Sequence, residues 1–190
     1  YLAAAGVGTL GIADDDHVSL SNLQRQVIHD SGTLNELKTA SAEQAISRLN
    51  PHVRVMRFEQ RFDATFAETH LKNFDLLVDG SDNFATRYLV NDTCVALDKP
   101  LVYGSILGFE GQLAVFNHQG SKNLRDLFPE PPNAEDVPNC SENGVLGTFP
   151  GIIGTMMAQE TVKVILDLEP LRNQFMLFDT VNWSLTKLRY

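Results

Sequence analysis

An α/β fold built on a doubly wound, Rossmann-like sheet is predicted for these 190 residues. Three observations predict it. Apolar runs of strand length alternate with stretches of helical period through the first half of the chain. Two of those runs end in carboxylates, at Asp14 and at Asp79, and beyond Gly111 the pattern changes to the strict alternation of antiparallel strands. The expected sheet is therefore mostly parallel, with antiparallel strands in the C-terminal half.

Taken in order, Tyr1 to Gly6 reads as the last turns of a helix closed by a glycine, and Val7 to Ala13 as the strand that follows. In a nucleotide-binding βαβ unit the glycine turn precedes the ribose-binding acid by about twenty residues. Only thirteen residues precede Asp14, so the first strand and its glycine loop are expected upstream of Tyr1 and the chain is expected to be N-terminally truncated. Lys38 to Leu49 carries Ala42, Ala45, Ile46 and Leu49 at helical spacing, and Asn50-Pro51 stops it. Val53 to Phe58 is expected as a strand near the sheet edge, Phe62 to Phe74 as a short helix, and Asp75 to Asp79 as a buried parallel strand. A helix over Ala85 to Leu97 and a strand over Pro100 to Ser105 continue the alternation.

Gly111 to Asn117, Phe175 to Asp179 and Trp183 to Arg189 are expected as the antiparallel strands. His118 to Asn139 is long, polar and rich in proline, and reads as a loop. Gly151 to Leu168 reads as a helix whose face is Ile152, Met156, Gln159, Val162, Lys163 and Leu166. The chain has no internal repeat and no low-complexity tract.

With 43% hydrophobic residues the chain can bury one sizeable core, and residues 1–190 are expected to form a single domain. No stretch of about 20 apolar residues and no charged-then-apolar leader is present, so a soluble, cytoplasmic protein without a membrane span is expected. A formal charge of −9 disfavours a broad nucleic-acid surface. Two cysteines, Cys94 and Cys140, are too few for a disulfide framework or a four-cysteine zinc site. No structural zinc is expected.

The chemistry concentrates in two places. Asp14 closes a strand and is followed by a polar turn holding Asn22, Arg25 and Gln26, then by Lys38; Asp79-Gly80-Ser81-Asp82-Asn83 closes another strand. A strand-end acid binds ribose hydroxyls in folds of this class, and the added cations and carboxylate suit a triphosphate with a metal. That combination points to ATP. Each residue also has an ordinary role open to it: Asp14 as a turn acid, Arg25 and Lys38 as surface cations, Asp82 as a helix cap. Asp79 reads as a turn-former, Cys94 as core filler, and the five histidines as solvated or locally hydrogen-bonded.

In order and spacing, Ser19-Leu20-Ser21-Asn22-Leu23-Gln24-Arg25-Gln26, then Lys38, then Asp79-Gly80-Ser81-Asp82-Asn83, resemble the ThiF/MoeB/HesA family of adenylyltransferases, bacterial relatives of ubiquitin-activating enzymes. The resemblance continues through Cys140 to Gly147 and Pro150 to Thr155 and covers nearly the whole chain, nearest to the molybdopterin-synthase branch. It implies adenylation of the C-terminal Gly-Gly carboxylate of a small ubiquitin-like sulfur carrier, with ATP and Mg²⁺, for molybdopterin or thiamin biosynthesis.

By the same resemblance Asp14, Asn22, Arg25, Gln26 and Lys38 hold the nucleotide, Asp82 holds Mg²⁺, and Cys140 forms a sulfur-linked or thioester adduct. A sulfur-donor protein and a homodimer are the implied partners. Arg125-Asp126-Leu127-Phe128-Pro129 resembles a loop that one branch carries where others bind zinc; its ordinary role is packing through Leu127 and Phe128. Alternatives of the same fold are a tRNA-nucleoside dehydratase of this family, a nicotinamide-dependent oxidoreductase, and a non-catalytic half of a heterodimeric activating enzyme.

Overall fold

In the computed structural model, residues 1–132 and 146–190 are described. The chain divides into two compact units, Tyr1–Phe62 and Asp63–Tyr190.

The first unit is a two-stranded parallel sheet carrying one helix. Its opening turns end as the glycine predicts: Gly6 has φ +84°, its amide donates to Ala3, and Val7 donates to Leu2, the double closure of a helix end in which glycine avoids a Cβ clash. β1 (Thr9–Ala13) pairs in parallel with β2 (Arg54–Phe58), from Thr9 opposite Arg54 to Ala13 opposite Phe58. Between them α1 spans Lys38–Leu49, the predicted bounds. Its Ile46 packs with Ala3 and Val53 against Leu10, Ile12 and Val55 of the strands. Asn50 ends α1 in extended conformation and donates its side-chain amide to the Ala3 carbonyl at 2.8 Å, tying the helix exit to the first turns.

The second unit is a five-stranded sheet in sequential order: β3 (Leu77–Asp79), β4 (Leu101–Leu107), β5 (Glu110–Phe116), β6 (Gln174–Asp179) and β7 (Ser184–Arg189). β3 and β4 are parallel, and every later pair is antiparallel, so the change of pattern at Gly111 marks a real change of topology. A two-residue turn at Gly108-Phe109, with Gly108 at φ +58°, closes the β4–β5 hairpin. α2 (Ala64–His70) precedes β3, α3 (Phe84–Ala96) follows it, and α4 (Leu124–Leu127) and α5 (Phe149–Ile165) lie between β5 and β6. The core joins Val102, Leu113, Val115 and Met176 of the sheet to Phe149, Ile153 and Met157 of α5. Burying a side chain of that size stabilises by about 1.5–3 kcal/mol.

Several sequence expectations are corrected. β3 is shorter than the predicted Asp75 to Asp79 run, at three residues, with Asp79 buried and Val78 43% exposed. The buried face of α5 is Phe149, Ile153, Met157, Glu160 and Thr161, one residue out of phase with the predicted face. Apolar residues occur in adjacent pairs there, so period alone cannot select the face; hollows at Gly104 and Gly111 select it, because a Cβ at either would meet Met157 or Ile153. Glu160 is buried on that face with its carboxylate filled by the Leu171 amide at 2.7 Å and the Lys163 ammonium at 2.6 Å. Part of the predicted His118–Asn139 loop is ordered as α4, capped reciprocally by Asn123 and Asp126, and anchored through buried Leu124 as well as through Phe128, whose ring packs edge-on against buried Phe175 at 5.6 Å. His118 is also buried, with its Nε2 unpartnered among the described residues, because it directly follows the fully buried run of β5. Residues 133–139 of that loop lie outside the described residues.

Candidate nucleotide site

In the first unit the site grows from the end of β1. The Asp14 amide extends the sheet by donating to the Phe58 carbonyl at 3.1 Å, and its carboxylate accepts from the Asp16 amide at 2.8 Å. The chain therefore turns at the strand end with Asp14 half-buried. The backbone of α1 begins against the same turn, since the Lys38 amide donates to the Asp16 carbonyl at 2.9 Å. Its ammonium lies 2.7 Å from Asp16 and 3.7 Å from Asp14, so the strand-end acid and the helix-start lysine predicted from sequence do meet. The hydrogen bond from Lys38, with its charge, holds the Asp16 carboxyl below the usual carboxylate range despite partial desolvation.

Asn22, Arg25 and Gln26 share one tight turn in which the Arg25 and Gln26 amides both donate to the Asn22 carbonyl, at 3.0 and 2.9 Å. The Asn22 side chain accepts from the Ser19 amide at 3.2 Å, and Arg25 donates to the Ser21 carbonyl at 3.1 Å. The Gln26 carboxamide oxygen is buried without a partner among the described residues. An orphaned buried acceptor costs about 1–3 kcal/mol, and such an atom fits a site completed by a ligand. His29, which the sequence reading did not place in the site, links this turn to α1: its Nδ1 lies 2.8 Å from the buried Ser41 hydroxyl, which donates to Thr33 at 2.9 Å. Burial pushes the His29 pKa down, and the charges of Lys38 and Asp14 both reach it, so turn, helix start and strand end share one electrostatic neighbourhood.

Asp14, Asp15 and Asp16 bring carboxylate oxygens within 4.8 Å of one another. Lys38 occupies Asp16 and Arg61 pairs with Asp15 at 2.9 Å, so two protein cations offset most of the charge of the three carboxylates.

In the second unit the Asp79–Asn83 turn joins β3 to α3. Buried Asp79 accepts from the Ser81 amide at 2.9 Å, as a turn-former does, and Asn83 rather than Asp82 caps α3 by accepting from the Thr86 amide at 2.9 Å. Asp82 is exposed and accepts from the Asn83 carboxamide at 3.5 Å, which leaves its carboxylate available to a hard cation such as Mg²⁺. Cys94 is fully buried, and burial pushes its thiol up to about 12. Cys140 and the segment around it, up to Val145, lie outside the described residues. Arg125 pairs with Asp92 through two hydrogen bonds of 2.7 and 2.9 Å and lies over the Tyr88 ring. An apolar recess of about 490 Å³ between Phe109, Phe149, Ile152, Val181 and Trp183 contains none of the predicted site residues.

A parallel strand ending in an acid, beside a helix-start lysine and a polar turn, is an arrangement of the Rossmann-like α/β class. Comparison with known proteins gives the family. The profile described as "ThiF family" matches residues 1–190, and the chain belongs to the ThiF family. It is 45% identical over 190 residues to adenylyltransferase and sulfurtransferase MOCS3 of Culex quinquefasciatus, covering 100% of this chain and 43% of that protein. It is 44% identical over 194 residues to the sulfur carrier protein adenylyltransferase of Thermus thermophilus, covering 99% and 72%. To the probable adenylyltransferase/sulfurtransferase MoeZ of Mycobacterium tuberculosis it is 46% identical over 189 residues, covering 97% and 48%. The chain thus spans less than half of two of these three relatives. Among solved structures, Escherichia coli MccB crystallised with ATP superposes with a TM-score of 0.82 over 98% of this chain and 58% of that one, at 14% identity, a likeness of fold alone. No helix among the described residues is long and apolar enough to cross a membrane.

Proposed function

We propose that the chain is an ATP-dependent adenylation domain, residues 1–190 acting together, that activates the C-terminal Gly-Gly carboxylate of a small ubiquitin-like sulfur carrier. The observation that carries the proposal is the meeting of Asp14 and Lys38 beside the Asn22–Gln26 turn. Relatives named as sulfur-carrier adenylyltransferases support it. Asp14 takes the ribose hydroxyls, while Arg25, Lys38, Asn22 and Gln26 take the phosphates. Asp82 is the residue that would hold Mg²⁺, which when bound supplies positive charge against the phosphate oxygens.

The carrier carboxylate attacks the α-phosphorus in line, giving acyl-adenylate and pyrophosphate. Both reactants are anions and the attacking carboxylate is already ionised, so no general base is needed. The task of the chain is to hold them in line and neutralise their charge. The Cys140 thiolate then attacks the acyl-adenylate carbonyl and expels AMP, taking the acyl group as a thioester or sulfur-linked adduct, before a sulfur-donor protein completes transfer for molybdopterin or thiamin biosynthesis. A homodimer is the proposed assembly.

Carrier-dependent ATP–pyrophosphate exchange by the full-length protein tests the reading. Lys38→Ala is expected to lower the exchange rate more than it weakens ATP binding, because a cation aimed at developing phosphate charge acts in the transition state. Cys140→Ala is expected to retain exchange and to lose the thiol-sensitive adduct. Exchange absent from the wild type with every Gly-Gly carrier tried would refute the proposal.

A further inference from the structure

Arg87 is a charged side chain only 7% exposed, and nothing in the proposed chemistry uses it. Burying a guanidinium is costly unless its donors are filled. Here one terminal nitrogen donates to the Gly104 carbonyl of β4 at 3.0 Å, and the other donates to the Ser81 carbonyl. The Asp79 carboxylate lies 3.9 Å away, and the Tyr103 ring sits under the guanidinium at 4.9 Å.

The Ser81 carbonyl belongs to the peptide that carries the nitrogen of Asp82, so Arg87 fixes the plane immediately before Asp82. The amide of Ser81 is fixed as well, by Asp79. On the other side Asn83 is held by its cap to Thr86. Asp82 is thus clamped at both ends of its backbone while its carboxylate stays exposed. A backbone this constrained around a side chain this free is a device for presentation, and a neutral side chain of similar size could fill the space without the cost of burying charge.

We infer that Arg87 is a positioning residue that holds the Asp79–Asn83 turn so that the Asp82 carboxylate is presented to the metal of the nucleotide. The inference rests on the assignment of Mg²⁺ to Asp82. Arg87→Lys keeps the charge but cannot reach two carbonyls on different elements with a planar fork. Asn83→Ala loosens the other clamp, and Asn83→Ser restores a good cap.

The test has two readouts on the full-length protein. Amide hydrogen exchange, measured without nucleotide or metal, is expected to speed up about tenfold or more at Ser81, whose amide Asp79 holds, in Arg87→Lys, the worth of one charge-assisted hydrogen bond, with Val102 and Leu113 unchanged. The Mg²⁺ concentration giving half-maximal pyrophosphate exchange is expected to rise about tenfold, the low end for loss of an outer-shell support. Asn83→Ala should raise it too, and Asn83→Ser should not. If Asp82→Asn exchanges as well as wild type, the assignment of Mg²⁺ to Asp82 is wrong. If Asp82→Asn is inactive but neither Arg87→Lys nor Asn83→Ala shifts the Mg²⁺ requirement, the positioning role is wrong. Should Arg87→Lys fail to fold, the contrast between Asn83→Ala and Asn83→Ser decides.

Discussion

Gly111→Ala is expected to destabilise the protein by driving a methyl group into the seat of α5. Built on the native backbone, the new Cβ would lie 2.4 Å from Cδ1 and 2.8 Å from Cγ1 of Ile153, and 2.8 Å from Cζ of Phe149. Carbon atoms in contact prefer about 3.5–4.0 Å, so the helix or its side chains must retreat by roughly an ångström. Neither neighbour has room, since Phe149 and Ile153 are both buried in the core. Overpacking of this kind costs about 1–3 kcal/mol. Replacing glycine in a strand returns about 0.5–1 kcal/mol, which leaves a net loss of about 0–2.5 kcal/mol, or about 1 kcal/mol at the middle of the two ranges.

Ile153→Val removes Cδ1, the atom struck first, and alone costs about 0.5–1.5 kcal/mol. The double variant should therefore be more stable than the sum of the two by about 0.5 kcal/mol or more. Gly154→Ala, on the exposed side of the same helix with nothing within 4 Å of the new Cβ, should stabilise by about 0.8–1 kcal/mol. Urea unfolding at constant m reads all four proteins. A Gly111→Ala protein more stable than wild type, or strict additivity in the double variant, would refute the seating of α5 on Gly111.

Two other outcomes follow from charge and burial. The Arg125 guanidinium holds the Asp92 carboxyl below its ordinary value, so its folded pKa lies under its unfolded value of about 3.9. That pair therefore contributes above the unfolded pKa and fades as pH falls through the folded one. The stability gap between wild type and Arg125→Met should narrow from pH 5 towards about pH 2 in urea titrations, and a gap that stays constant would rule the pair out. In a Cys140→Ser background, the Cys94 thiol, pushed up to about 12 by burial, should react with a disulfide reagent only as fast as the protein unfolds; rapid modification of the native protein would contradict its burial.

Much of this was legible in residue order. α1 emerged with its bounds intact because Ala42 and Ile46 mark one face and Asn50-Pro51 supplies an unmistakable stop. The switch to antiparallel pairing was legible in the strand-like segments beyond Gly111, although Leu113 to Phe116 are buried on both faces and show no alternation. Asp14 and Lys38 were brought to one site by the family resemblance, and their ion pair is a finding of the fold. What stayed hidden depends on contacts between distant residues. The phase of α5 is decided by hollows in β4 and β5, and the roles of His29 and Arg87 depend on Ser41, Ser81 and Gly104, partners that no spacing rule assigns.

In the free protein the Lys38 ammonium is already neutralised, with Asp16 at 2.7 Å and Asp14 at 3.7 Å. On the proposed function, an arriving phosphate chain has to compete with two tethered carboxylates for that lysine. A nucleoside brings no charge to the contest and a monophosphate brings little, whereas a triphosphate outweighs both acids. Once Lys38 swings to the ligand, Asp16 is left bare and repels any phosphate on its own side, so the bound nucleotide can point only one way. Ligand valence, more than ligand shape, then decides what is admitted, and the threshold is set by Asp16, a residue with no part in the reaction.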